Sequence, residues 1–524
     1  MTEAVDAAFS HLPGYLSQHL LLSLCALTLG AAISLPLAVA ASRSATLRWP
    51  LLAFASFVQT IPSLALLALF YPVLLALSAL SRGLFGAGFP ALGFLPSLLA
   101  LTLYSMLPML RNTVTGLAGV DPAAQEAARG VGMTPRQQLL WVQLPLAAPV
   151  IMAGVRTAAV WTIGAATLST SVGQTSLGNY IFSGLQTENW VSVLFGCGAS
   201  AVLALSADLL LGLIESGLAR RSRVRVRSGI AALAIGVLAG LSPLAAISSA
   251  PAYVIGAKNF SEQYILAELM ASRLEAAGAR VERREDLGSA VAYRALAAGE
   301  IDAYVDYSGT LWANVLNHTD NPGRAAVLAR LTDELARRDH VTVLGSLGFE
   351  NAYALAMRRD RAEELGIRTL GDLARHAGQL TMGGDLECFS RPEWAAVRDA
   401  YGLHFRSQRQ FQPTFMYRAL AGWEADVISA FSSDGRIAAD NLLLLEDPRH
   451  ALPPYDAVVL ISPRRAGDSR LRAALTPLIG RISVQQMQAA NYSVDRDADK
   501  LTPARAASDL ARQIGPQRPP VTLR

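Results

Sequence analysis

Two aromatic residues in the C-terminal half, Tyr307 and Phe431, occupy matching places in an internal echo. The stretch YRALAAGEID at 293–302 recurs as YRALAGWEAD at 417–426, 124 residues later. Each aromatic lies five residues beyond the aligned aspartate, Asp302 or Asp426. Two similar lobes facing each other would put the rings on opposite walls of one cleft, where they can hold a ligand by contact. The same placement also suits two core aromatics in a repeated helix–strand unit. Covalent chemistry finds no footing. Residues 252–524 contain no GxSxG, no zinc-ligand spacing and no triad, and the seven histidines of the chain are scattered without HExxH. The only lysines are Lys258 and Lys500, and neither follows a glycine, so a Walker A phosphate loop is missing too. We assign no catalytic residue, metal ligand or cofactor to this chain.

The elements that must carry the aromatics are legible by periodicity. Tyr253–Gly256 predicts a strand, and Ser261 predicts the cap of a helix carrying Ile265, Leu266, Leu269 and Leu274, stopped by Gly278. A strand at Val281–Glu285, a helix at Ser289–Ala298 and a strand at Ile301–Tyr307 complete a βαβαβ unit. That alternation is the pattern of a parallel sheet covered by helices, and ligands of such sheets bind beyond the carboxyl ends of the strands.

The N-terminal half has another character. The whole chain of 524 residues is 52% hydrophobic but only 16% charged, an average over two unlike halves. Long apolar runs at about 20–42, 51–78, 93–113, 147–168, 190–217 and 229–249 each have the length needed to cross a bilayer. Arg43 and Arg48, then Arg111, Arg129 and Arg136, then Arg220, Arg221, Arg223, Arg225 and Arg227 follow the first, third and fifth runs. Alternating spans put these loops on one side, which the positive-inside rule makes cytoplasmic. Residues beyond 250 are then outside. The segment ending near Ser248 and Ala250 also has the form of an internal signal peptide, whose cleavage would release the C-terminal half. A net charge of +4 with no long basic tract excludes nucleic acid as a partner. Cys25, Cys197 and Cys388 suggest no disulfide pair.

A polar segment, EAARGVGMTPRQQLLWVQLP at 126–145, interrupts the apolar half. Asp121 before Pro122 predicts one helix start, and Thr134, Pro135 and Gln137 predict a second with a capping box. Two short helices around a glycine bend, facing the cytoplasm, could lodge in a groove of another protein. An ordinary amphipathic loop has the same features.

This segment resembles the EAA signature of bacterial ABC-importer permeases, through Glu126, Ala127, Ala128, Gly132, Val142, Leu144 and Pro145. QTIPSLALLAL (59–69) and LYSMLPMLRNTVTGL (103–117) are similar to permeases of osmoprotectant importers for glycine betaine, choline or carnitine. IGAKNFSEQYILAEL (255–269) and YVDYSGT (304–310) are similar to the binding protein of those systems. The resemblance implies a type I importer permease at 1–219, with about five core spans and its coupling loop at 121–145. A basic linker and tethering span follow at 220–251. A two-lobed α/β binding domain then occupies 252–524, lobe 1 at about 252–350 and 460–524 and lobe 2 at about 351–459.

The resemblance further implies that Glu126, Ala127, Ala128, Gly132, Leu144 and Pro145 couple to a separate cytoplasmic ATPase, which binds ATP and magnesium. It also implies a permease homodimer in a bacterial inner membrane, with the binding domain on the periplasmic or outer side. Its aromatic cage for a quaternary ammonium head falls on Tyr307, Tyr353, Phe431 and Tyr455, where Phe431 replaces the more usual tyrosine. Ring faces attract such cations, which cannot donate hydrogen bonds through nitrogen. For the carboxylate of a zwitterion, Lys258 is the first candidate, with Asn259, Thr310 and Arg391 behind it. Ergothioneine, another trimethylammonium compound, is an alternative solute. A membrane sensor that binds without transporting is an alternative of another class, which the EAA segment disfavours.

Overall fold

The computed structural model describes every residue except Met1, Ala87, Glu188, 246–252, Thr319, 386–387, Arg391, Gln412, Asp497 and 516–524. The chain divides into two compact units, Met1–Phe182 with Val191–Ser249, and Ala250–Arg524 with the short stretch Ser183–Trp190.

The first unit is helical. Among the described residues, six stretches are long and apolar enough to cross a membrane: Ala8–Arg43, Ser63–Phe85, Phe94–Ala118, Pro135–Val172, Trp190–Ala219 and Arg223–Leu244. The second departs from the expected 51–78. A helix Ala45–Thr60 ends there, Ile61 is extended, and a new helix starts at Ser63. The cause is Pro62, whose ring disfavours helical backbone in the residue before it. Close backbone approach joins the helices Phe94–Ala118 and Leu144–Ala166. A Cβ at Gly154 would lie 2.6 Å from Asn112 Cβ and 2.8 Å from the Pro108 carbonyl, so only glycine fits. Arg156 ties the same helix to Trp190–Ala219, donating to Asp208 at 2.6 and 2.7 Å and to Glu215 at 3.2 Å.

The second unit holds two five-stranded sheets. The strands are β1 (Tyr253–Lys258), β2 (Val281–Leu287), β3 (Ala303–Tyr307), β4 (Thr342–Glu350), β5 (Tyr353–Arg358), β6 (Thr381–Gly384), β7 (Ser407–Gln410), β8 (Val427–Phe431), β9 (Leu442–Leu444) and β10 (Asp456–Ile461). One sheet runs β2-β1-β3-β10-β4, the other β7-β6-β8-β5-β9. The expected βαβαβ unit is present as β1, the helix Ser261–Ala276, β2, the helix Ser289–Ala298 and β3. The sheets are nevertheless mixed. In the first, β10 is antiparallel to β3 and β4, and in the second β5 is antiparallel to β8 and β9. Because β10 belongs to the first sheet, the chain has returned to lobe 1 by Asp456, ahead of the expected 460.

The echo is structural. Asp302 and Asp426 each precede their strand, β3 or β8, and bond the parallel neighbour of that strand, β1 or β6. The Val254 N–H donates to Asp302 Oδ2 at 2.9 Å, and the Thr381 N–H donates to Asp426 Oδ2 at 2.8 Å. The helix before each aspartate ends in a left-handed residue, Gly299 (φ 76°) in one copy and Trp423 (φ 61°) in the other. The lobes meet where the chain crosses: the Asn351 N–H donates to the Tyr455 carbonyl at 2.9 Å, and the Ser432 N–H to the Ala352 carbonyl at 2.9 Å.

Candidate functional site

Tyr307 ends β3 and Phe431 ends β8, at the carboxyl ends of equivalent strands in the two sheets. Tyr353 opens β5 directly opposite Phe431 in the antiparallel register, and the two rings meet edge to face at 5.4 Å. A residue not singled out from sequence joins the lobes: Phe260 stacks on Tyr307 at 6.2 Å and on Phe431 at 6.5 Å. Such separations suit ring–ring contact. Tyr455, just ahead of β10, lies against Gly309, where a Cβ would come within 2.7 Å of its ring. Tyr307, Tyr353 and Tyr455 are buried and Phe431 is half-buried.

Two carboxylates hold the phenols of Tyr307 and Tyr455, while the Tyr353 hydroxyl donates to Cys388 Sγ at 2.8 Å. Glu262, in the first turn of the helix Ser261–Ala276, accepts from the Tyr307 hydroxyl, from Asn351 Nδ2 at 3.2 Å and from Asn491 Nδ2 at 2.8 Å. Burial pushes its pKa up, against the hydrogen bonds that favour its charge. Glu393 accepts from the Tyr455 hydroxyl at 3.0 Å. The only sequence signal for either was an acidic residue at a helix start, which is commonplace.

The expected carboxylate partners fare differently. Lys258 is 2% exposed and forms an ion pair with Asp306, itself 1% exposed. Its charge is matched inside the lobe, and its ammonium lies 5.3 Å from the Tyr307 ring centroid. We therefore withdraw it as the first partner for a solute carboxylate. Asn259 is exposed, Thr310 is buried, and Arg391 lies outside the described residues, as do Ser248 and Ala250. Ser261 does not cap its helix. The cap position is Phe260, and the Ser261 hydroxyl donates to Asp495.

Asp286, at the end of β2, is a strained acid. It is buried with φ 62°, accepts from the Tyr264 hydroxyl, and its Oδ2 has no partner among the described residues. Burial pushes its pKa up to about 7, and that of its neighbour Glu285 to about 8, the latter also through repulsion from Asp286. A raised carboxyl pKa means the folded state holds a proton that the unfolded state has released. Stability is therefore lost as pH rises from the unfolded value, about 4, towards 7 to 8. Asp286→Asn keeps the shape and still accepts from Tyr264. We expect it to raise the melting temperature at pH 8 and to flatten the decline between pH 5 and 8, measured by calorimetry.

In the polar segment of the first unit both predicted caps are present. Asp121 Oδ1 accepts the Ala123 N–H at 2.9 Å, starting the helix Pro122–Gly130. Thr134 and Gln137 form a reciprocal capping box, at 3.3 and 2.8 Å. Gly132 turns the chain at φ 80°. The second helix is not a separate short one. From Pro135 it continues through a wider π-type turn, Gln138–Gln143, into Leu144–Ala166. Glu126, Ala127, Gly132 and Pro145 are exposed, Leu144 is half-buried and Ala128 is buried. Val131 and Trp141 stand 74% and 65% exposed beside them.

Residues 251–513 match the family described as the substrate binding domain of ABC-type glycine betaine transport systems. Residues 30–220 match the binding-protein-dependent transport system inner membrane component. The chain belongs to the family of ABC-importer permeases fused to an osmoprotectant-type substrate-binding domain, and is a multi-pass membrane transport protein. It is 30% identical over 485 residues to the ergothioneine transport permease/ergothioneine binding protein EgtU of Helicobacter pylori (strain G27), covering 89% of this chain and 83% of that one. The choline transport system permease protein OpuBB of Bacillus subtilis (strain 168) is 38% identical over 210 residues, 40% of this chain and 89% of that protein. Among solved structures, a glycine betaine/carnitine/choline ABC transporter is 26% identical. It covers 50% of this chain and 98% of its own, with a TM-score of 0.44.

Proposed function

We propose that the binding domain captures a quaternary-ammonium solute outside the inner membrane. A permease dimer then passes it inward, using ATP hydrolysed by a separate subunit seated on residues 121–145. The observation that carries this reading is the meeting of Tyr307, Tyr353 and Phe431 from two lobes through Phe260. Facing rings with two acidic groups on their phenols form a surface suited to a bulky cation that offers no N–H. Glycine betaine, choline and carnitine all present that head. Ergothioneine presents it too, and is favoured as a second reading because a relative matching both halves of this chain is an ergothioneine permease and binding protein. Support for the outward placement of the binding domain comes from the arginine-rich loops, which are cytoplasmic by the positive-inside rule. The exposed apolar side chains of Val131 and Trp141, beside the glycine turn, suit burial against an ATPase.

The test is uptake by proteoliposomes carrying this chain and its ATPase, with labelled choline, glycine betaine, carnitine and ergothioneine. ATP-dependent accumulation of at least one is expected; none for any of the four would sink the proposal. Gly132→Val should reduce uptake at least roughly tenfold while solute binding stays intact, because a β-branched residue resists the left-handed backbone there by about 1–2 kcal/mol. Loss of binding in that variant would contradict the division of labour.

A further inference from the structure

Among the described residues, Glu393 has one oxygen engaged and one without a hydrogen-bond partner. Its side chain, at the start of the helix Pro392–Tyr401 in lobe 2, is 2% exposed. Oε1 accepts from the Tyr455 hydroxyl at 3.0 Å and from Asn314 Nδ2 at 3.1 Å. Asn314 belongs to lobe 1 and Tyr455 lies at the crossing back into it, so the lobe 2 carboxylate reaches out of its own lobe to a phenol of the proposed cage. Oε2 is buried and has no hydrogen-bond partner among the described residues. A buried carboxylate oxygen left without a donor is costly, and the cost falls away when a donor arrives.

We infer that Glu393 Oε2 reads a hydrogen-bond donor on the solute, which is therefore a quaternary-ammonium compound bearing an O–H or N–H group beyond its head. This rests on the cage reading above. A second acceptor of like charge repels a solute carboxylate at this wall. The lysine that would have welcomed one is held by Asp306. A hydroxyl, as in choline, or the ring N–H of ergothioneine, with that solute's own carboxylate turned away from this wall, completes a charge-assisted bond. Such a bond strengthens binding by about tenfold to a hundredfold. Glycine betaine, without a donor, gains nothing there.

The experiment is titration calorimetry on the full chain in lipid nanodiscs. The ligands are tetramethylammonium, choline, the methyl ether of choline, ergothioneine and glycine betaine. We expect choline to bind at least about tenfold tighter than its ether, or ergothioneine at least about tenfold tighter than glycine betaine, and the successful arm names the donor. In Glu393→Gln, whose amide oxygen can keep Tyr455 and Asn314 while its NH2 replaces the free acceptor, that ratio should fall to within about threefold. Equal binding within both pairs in the wild type, or an unchanged ratio in the variant, overturns the inference and leaves the cage standing. If no quaternary ammonium compound binds, the cage reading itself falls. The wild-type comparison decides the matter even if the variant does not fold.

Discussion

Lys258→Met is expected to cost the binding domain about 3–5 kcal/mol of stability, the usual penalty for stranding one member of a buried ion pair. Asp306 would keep the Tyr307 N–H, at 2.7 Å, and the Tyr304 hydroxyl as donors, but both are neutral. A carboxylate that is 1% exposed then has no opposing charge in contact among the described residues. Adding Asp306→Asn should recover most of the loss, because the remaining pair is uncharged. Urea unfolding followed by tryptophan fluorescence gives both numbers. A different role for Lys258 gives a different result. Were it the partner of a solute carboxylate, Lys258→Met would leave stability unchanged and weaken glycine betaine more than tetramethylammonium.

Phe431→Leu should weaken binding of any quaternary ammonium solute by roughly thirtyfold, corresponding to the ~2 kcal/mol of a desolvated cation–ring contact. Leucine keeps most of the volume beside Tyr353, so the loss of stability should stay under about 1.5 kcal/mol. Phe431→Tyr keeps the ring face, adds only a hydroxyl and should bind within a few fold of wild type. Affinity measured alongside the melting temperature separates the ring face from packing. An unchanged affinity in Phe431→Leu would remove this residue from the cage.

What could be read from the sequence was mostly local. Asp121–Pro122 and Thr134–Gln137 act within four residues, and both caps are present as expected. The echo pointed to Tyr307 and Phe431 because repeated helix–strand units carry their registers with them. The break at Pro62 was also legible from the residue before proline, but the apolar run across it hid the signal. Non-local pairing was out of reach. Lys258 meets Asp306 across 48 residues, and nothing in the composition near either announces the other. Likewise, Glu262 and Glu393 look like ordinary first-turn acids until the fold brings Tyr307 and Tyr455 to them. The antiparallel strands β5 and β10 arrive from the opposite part of the chain, so the alternating pattern at 253–307 suggested a wholly parallel sheet.

The crossing at Asn351 and Tyr455 sets an order of events. Tyr307 and Tyr455 travel with the first sheet, and Tyr353 and Phe431 with the second, so any rotation about the crossing parts the proposed cage into two pairs. On the cage proposal, a solute meeting either pair alone would be held by half the rings and would leave quickly. Residence time would be gained only when the pairs rejoin, with Phe260 between Tyr307 and Phe431. Selection among similar solutes then falls mainly on the rate of escape from the shut cleft rather than on the rate of arrival.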